Sequence, residues 1–288
     1  MTTTASSAAS TAATSLGANT AVFDEPRSSR QALGYTLLIA AGVIAPFIVY
    51  PTFLMKVLCF ALFACAFNLL LGFARLLSFG HAAFFGTAAY VCAWLSKSYG
   101  VSPELAIVAG GLVAATLGWL FGMLSIRRSG IYLTMITLAL AQLVFFFAVQ
   151  LPFTGGEDGL QGVPHGKLFG LSNNMVMYFF VFAVFAACFW LIHRTVNSPF
   201  GEVLKAIREN EPRAISLGYD VARYKLLAFV LSAFVAGVAG GMKSLVFQLA
   251  SLTDAHWHMS GEVVLMTLLG GLGTLFGPAV GAFVIRGT

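Results

Sequence analysis

The stretch Ser198–Gly218 reads SPFGEVLKAIRENEPRAISLG, a polar island in a chain that is otherwise mostly apolar. It carries six charged residues, Glu202, Lys205, Arg208, Glu209, Glu211 and Arg213. Apolar Val203, Leu204 and Ile207 fall at helical spacing, so the first half predicts a short amphipathic helix. Pro212 suits the first turn of a second short helix, where the amide it lacks would be unpaired anyway. Gly218 suits that helix's stop. Two short charged helices hung between long apolar spans are more than a tight turn needs. They read as a docking surface for a soluble partner, against the plainer alternative of a solvated interhelical loop.

Outward from the island, composition sets the solvent. The chain has 288 residues, 59% of them hydrophobic and 9% charged, with mean hydropathy +0.88. Soluble domains carry about 25% charged residues, so this chain cannot cover its surface with polar groups and lipid must surround it. Apolar stretches of about 20 residues recur, each long enough for a membrane helix. They are too long and too uniformly apolar for the alternating strands of a barrel. The expected class is therefore an all-α polytopic membrane protein. The net charge of +5 is modest, and no nucleic-acid partner is expected. Cys59, Cys65, Cys92 and Cys188 lie in or near apolar spans without a CxxC pair, and read as small packing residues.

Residues 1–32 open with a Ser/Thr/Ala-rich run without apolar periodicity and read as a flexible tail. The first apolar run begins near Leu33, too far along for a cleaved signal peptide. Eight apolar spans then follow, at about 33–50, 53–73, 79–96, 104–124, 131–151, 174–193, 225–248 and 261–285. The third is short and holds Gly80, His81 and Gly86, so it is a candidate broken or re-entrant element. The last is interrupted by Gly270, Gly271, Gly273, Gly277, Pro278 and Gly281, and is a candidate pair of half-helices.

Lysine and arginine set the orientation. With every segment crossing, the side of the tail receives Arg27, Arg30, Arg75, Arg127, Arg128, Arg194, Lys205, Arg208, Arg213, Arg223, Lys225 and Arg286. The other side receives only Lys56, Lys97, Lys167 and Lys243. This bias places the tail and the island in the cytoplasm. The Gly-rich loop 152–173, with Glu157, Asp158, His165 and Lys167, then faces out. So does 251–260, whose Asp254, His256 and His258 have a metal-like spacing but read as a polar rim.

No phosphate loop, HExxH, GxSxG with partners or buried carboxylate pair is present, so catalysis has no visible home in the chain. Ionisable residues within spans are few. Glu262 and Lys243 lie near span ends and read as snorkelling to the interface rather than as a proton relay. His81 is either a pore residue or a hydrogen-bonded packing residue. Asn68 and Gln142 are either interhelical glue or path lining. Gly118 and Gly122, Gly237 and Gly241, and Gly273, Gly277 and Gly281 recur at four-residue spacing, which lets helix backbones approach closely.

Five ordered stretches carry a family resemblance: LLSFGHAAFFGTAAY (76–90), GIYLTMITLALAQ (130–142), TGGEDGLQGVP (154–164), AIRENEPRAISLGYDVARYKLLAFVLSAFVAGVAGG (206–241) and LLGGLGTLFGPAVGA (268–282). Together they resemble the LivM-type permease subunit of bacterial branched-chain amino acid ABC transporters, over about Phe60–Phe283. The resemblance implies an ABC importer permease fold, with a transmembrane domain at 33–288 and a cytoplasmic coupling loop at 198–223 that touches an ATPase. Glu211, Ala214 and Gly218 stand where the coupling motif has its acid, small residue and glycine, and Glu202, Lys205, Arg208 and Glu209 lie just before them. Pro212 and Arg213 replace two alanines of the general motif.

The resemblance further implies a second homologous permease subunit, two ABC ATPase subunits holding ATP and magnesium, and a periplasmic substrate-binding protein. This chain itself is expected to hold no cofactor and no metal, and to lie in the bacterial inner membrane. Asn68, His81, Gln142, Gly271 and Gly273 are the path candidates. The expected function is half of the path of an importer for branched-chain or related amino acids. The alternatives are a permease for urea or short amides, and an autonomous channel or secondary carrier. A non-transporting scaffold would leave the outer Gly-rich loop and the glycine breaks without a role.

Overall fold

A computed structural model describes residues 42–46, 49–128, 130–151, 154–163 and 174–287. The chain divides into two units, 1–48 and 49–288. Of the first, only 42–46 are described, as a short helical stretch. The expected tail at 1–32 and most of the expected span at 33–50 lie outside the described residues.

The second unit is built almost entirely of helices. Helix α1 spans Pro51–Asn68 and runs on as a π-helical turn, Leu69–Phe73. Then come α2 (His81–Ser98), α3 (Pro103–Ser125), α4 (Ile131–Gln150) and α5 (Asn174–Val196). The island forms α6 (Pro199–Glu209) and α7 (Glu211–Ser216), followed by the long α8 (Val221–Phe247). A four-residue α9 (Leu252–Ala255), α10 (Trp257–Gly270) and α11 (Gly277–Gly287) complete the chain. Among the described residues, five helices are long and apolar enough to cross a membrane: Pro51–Phe73, Pro103–Ser125, Ile131–Gln150, Met175–Val196 and Val221–Phe247. In lipid a helix satisfies its own backbone groups, which is why apolar runs of this length take no other form.

Local signals set the boundaries. Pro51 and Pro103 sit in the first turns of α1 and α3, where a missing amide costs nothing. Asp220 caps α8 by accepting from the Arg223 amide, and Gln248 ends it in the left-handed conformation, φ +53°. Ser251 and Asp254 form a capping box around α9.

Helices α1, α2, α3 and α8 form the centre, with α8 packed along the other three. Water does not drive helices together inside lipid, so close van der Waals fit must do so. The α3–α8 seam shows how: a Cβ added at Gly118 would lie 2.3 Å from the Ala233 Cβ, and one at Gly237 2.4 Å from the Ala114 Cβ. Helix α5 and the α10–α11 pair pack on α1, while α4 rests on α2 and α9.

Two expectations change. The third apolar span is not broken: α2 is one continuous helix, because Gly80 precedes it and Gly86 serves close approach to Ala255 rather than a bend. The last span is two half-helices, as its glycines suggest, but it does not cross. Gly270 lies against Gly277, Gly281 against the Met266 carbonyl, and Arg286 against Glu262. The pair is thus an antiparallel hairpin turning at 271–276. Arg286 is carried back beside Met259 and over the Phe60 ring, 3.9 Å from its centroid. It does not join the basic cluster near the island.

At the end of the bundle opposite the island, Leu160–Gln161 (β1) pairs antiparallel with Leu249–Ala250 (β2), Leu160 facing Ala250 and Gln161 facing Leu249. Lys97 Nζ donates to the Gln161 carbonyl at 3.0 Å. The Gly-rich loop is thereby stitched to the end of α8. His165 and Lys167 lie outside the described residues.

Candidate functional site

Serine 198 and Asn210 fix the island. The Ser198 hydroxyl caps α6 by accepting from the Gly201 amide, and the Asn210 side chain caps α7 by accepting from the Arg213 amide at 3.1 Å. Gly218 closes α7 at φ +87°, a conformation glycine adopts without Cβ strain. The underside is apolar: Ile207, Ala214 and Val221 form a small cluster joined by Val203 and Tyr224.

The other faces are polar, with apolar exceptions. Glu202 and Glu209 are exposed, and Lys205 pairs with Glu202 at 2.8 Å. Ile215 is 58% exposed, Leu217 67% and Tyr219 41%. Sequence reading missed these three residues. The amphipathic spacing of the first helix was visible, but α7 has under two turns and shows no period.

Glu211 is half-exposed and reaches toward α8. Its Oε1 accepts from Lys225 Nζ at 2.6 Å, and the lysine is buried. Glu211 therefore ties α7 to α8. A cleft of about 310 Å³ opens between the island and the span ends, lined by Arg75, Gly130, Arg208, Glu209, Glu211 and Lys225 among others.

Asn68, Gly271 and Gly273 meet at this same end. Asn68 donates through Nδ2 to the Thr274 carbonyl at 2.7 Å and accepts through Oδ1 from the Gly273 amide at 3.0 Å. Gly271 and Gly273 take φ +97° and +75°. Gly72, in the π-helical turn, lies so close that an added Cβ would be 2.7 Å from the Gly273 amide nitrogen. Arg208 Nη1 donates to the Gly72 carbonyl. Arg75 Nη1 donates back to the Arg208 carbonyl at 3.4 Å, from a left-handed backbone at φ +58°. Such a conformation costs a non-glycine residue about 1–3 kcal/mol and gathers at functional sites, as do π-helical turns.

His81 and Gln142 lie elsewhere. His81 is fully buried, and its Nε2 hydrogen-bonds the Ser232 hydroxyl at 2.9 Å. Ser232 in turn donates to the Ala66 carbonyl, so α2, α8 and α1 are joined at one point. Gln142 is half-buried on α4.

The snorkelling reading of Lys243 and Glu262 is corrected. Lys243 is buried and forms an ion pair with Asp254, itself 1% exposed. Glu262 pairs with Arg286. Both partners return through folds of the chain that spacing does not show. The stretch 251–260 is a polar rim only in part: Asp254 turns in to Lys243 and His256 meets Phe145 edge to face, while the exposed His258 lies 3.8 Å from Glu262. The D-x-H-x-H side chains diverge, and among the described residues no group of three could hold a metal.

Membrane-length helices, an outlying charged helix pair and a glycine-broken hairpin define an all-α polytopic membrane protein of the ABC-permease type. The chain belongs to the family of the branched-chain amino acid transport system permease component, whose model matches residues 49–288. It is 28% identical to the high-affinity branched-chain amino acid transport system permease protein LivM of Escherichia coli over 244 residues, covering 76% of this chain and 57% of that protein. It is 25% identical to the probable branched-chain amino acid transport permease protein LivH of Methanocaldococcus jannaschii over 210 residues, covering 68% and 65%. It is also 29% identical to the autoinducer 2 import system permease protein LsrC of Klebsiella pneumoniae over 188 residues, covering 60% and 51%. The chain thus spans little more than half the length of the LivM protein it matches. No solved structure matches it.

Proposed function

We propose that this chain is a permease subunit of an ATP-driven importer for branched-chain or related amino acids, docking an ATPase through α6 and α7. The observation that carries the docking is the exposed patch Ile215, Leu217 and Tyr219 set among charged residues on a capped helix pair. Apolar side chains held in a polar rim are the anatomy of a protein interface. ATP and magnesium then belong to the partner chains. A second homologous permease completes the path, and a periplasmic protein delivers substrate. The matches to proteins named LivM and LivH support two related permeases working as a heterodimer. The setting is the bacterial inner membrane, with the tail and the island in the cytoplasm.

Substrate is held weakly along the path, by backbone groups at the broken segment 271–276 and by neutral side chains such as Asn68. A tight midway site would slow release. Permeation of urea or short amides remains the alternative substrate class, and the match to an autoinducer 2 permease widens it.

One observation favours a secondary carrier instead. Two ion pairs, Glu262 of α10 with Arg286 of α11 and Lys243 near the end of α8 with Asp254 of α9, lie in or beside apolar helices, where charge often marks a coupling site. Both are closed pairs, which favours a structural role over proton or sodium relay.

Docking is tested with Leu217→Asp in cells that co-express the ATPase partner. An interface anchor is worth about 2 kcal/mol or more, so ATPase recovered on the purified permease should fall at least tenfold while membrane insertion persists. Undiminished recovery contradicts the docking surface. Glu211→Lys is a poorer choice, because it also sets two lysines face to face beside α8.

A further inference from the structure

Three places in the fold have no role in the reading above: the buried Lys243–Asp254 pair, the apolar groove beside Arg194 and Phe200, and the junction of α6 with the π-helical turn. The third carries the most. We propose that Arg208 is a positioning residue that pins the island to the broken segment 271–276, so that displacement of α6 is passed to that segment. This rests on the reading of α6 and α7 as the ATPase-docking element.

The contacts form one unbroken chain. Arg208 is a member of the charged island, yet its guanidinium is spent on the protein itself, donating to the Gly72 carbonyl. Gly72 lies in the last turn of the π-helical run that ends α1, where carbonyls have no partner in the ladder. Gly72 abuts Gly273, and a Cβ built on Gly273 would lie 3.1 Å from Arg208 Nη1. Asn68, one turn earlier on the same face of α1, holds the segment through Gly273 and Thr274. Arg75 closes the link in reverse by donating to the Arg208 carbonyl. Arg208 is therefore held at both its main chain and its side chain by α1 and the residues that follow it.

The parts that would move are those built to change. Gly271 and Gly273 occupy conformations in which a two-residue backbone rearrangement meets no Cβ penalty. Arg75 is strained. The broken segment is held by few bonds of its own, chiefly the Gly271 amide to the Leu268 carbonyl at 3.2 Å and the Thr274 hydroxyl to the Gly271 carbonyl at 2.8 Å, and Asn68 adds two more. Coupling between two sites needs a contiguous element that both bias. Here that element is the turn 69–75, gripped by α6 on one side and by the hairpin on the other.

The test uses the transporter assembled with its ATPases in nanodiscs. Spin labels go on cysteines placed at Met123, Lys205 and Leu272, since the four native cysteines are buried. The distances from Met123 to Lys205 and from Met123 to Leu272 are measured before and after trapping with ATP and vanadate. In the wild type both should shift. In Arg208→Met the Lys205 shift should persist and the Leu272 shift should be lost, with Arg208→Lys restoring part of it. Asn68→Leu cuts the link at its far end and should give the same loss, which keeps the test open where Arg208→Met fails to assemble. A Leu272 shift that survives in Arg208→Met overturns the pin, as does loss of both shifts, which would make Arg208 a docking residue. An immobile Lys205 in the wild type overturns the docking reading and the pin together; a mobile Lys205 with an immobile Leu272 overturns the pin alone.

Discussion

Burying Lys243 and Asp254 takes two full charges out of water, and their contact repays this only while both are present. Removing one charge leaves the other stranded, at a cost of about 3–5 kcal/mol. Asp254→Asn should therefore lower the midpoint of thermal unfolding in detergent sharply, and adding Lys243→Met should recover most of the loss. A single variant as stable as the wild type would show that the pair is dispensable. The sequence pointed to Lys243 as unusual but not to its partner. Eleven residues separate them, and a turn at Gln248 plus the four-residue α9 are needed to bring the carboxylate back. Arg208 was harder still. Its place in an amphipathic, charged helix argues for an outward role, and only the fold shows the Gly72 carbonyl within its reach.

At the scale of the element, the helical spans were legible because lipid permits few alternatives. Four of the eight expected spans match membrane-length helices within a few residues, and the fifth such helix, α8, begins four residues before its expected start at 225. The island was legible from the spacing of Val203, Leu204 and Ile207 and from Pro212 and Gly218 at the two ends of α7, while the caps Ser198 and Asn210 and the first-turn Pro199 went unread. What failed was the course of the last apolar stretch. Glycine spacing predicts close approach but not with which neighbour, and here the neighbour is the other half of the same stretch. The hairpin makes a topological prediction. Its turn should open to the same side as the island, so cysteines at Leu272 and at Lys205 should react with an impermeant maleimide from one face of a sealed vesicle. Labelling from opposite faces would mean that the hairpin runs the other way.

For the whole molecule, the bundle has two unlike ends. One gathers Arg75, Arg127, Arg208, Arg223 and Lys225 around the island and its clefts. The other is closed by the β1–β2 pair, the Lys97 contact with Gln161 and the Lys243–Asp254 pair. This polarity fits the proposed importer, in which a delivering protein and an ATPase would meet opposite ends. The most direct measurement is uptake of labelled leucine, isoleucine or valine into proteoliposomes that hold this chain with its second permease and ATPases. The binding protein is supplied outside and ATP inside. The account predicts accumulation that needs both ATP and the binding protein, and none with this chain alone. Accumulation by this chain alone, driven by a proton or sodium gradient without ATP, would contradict it.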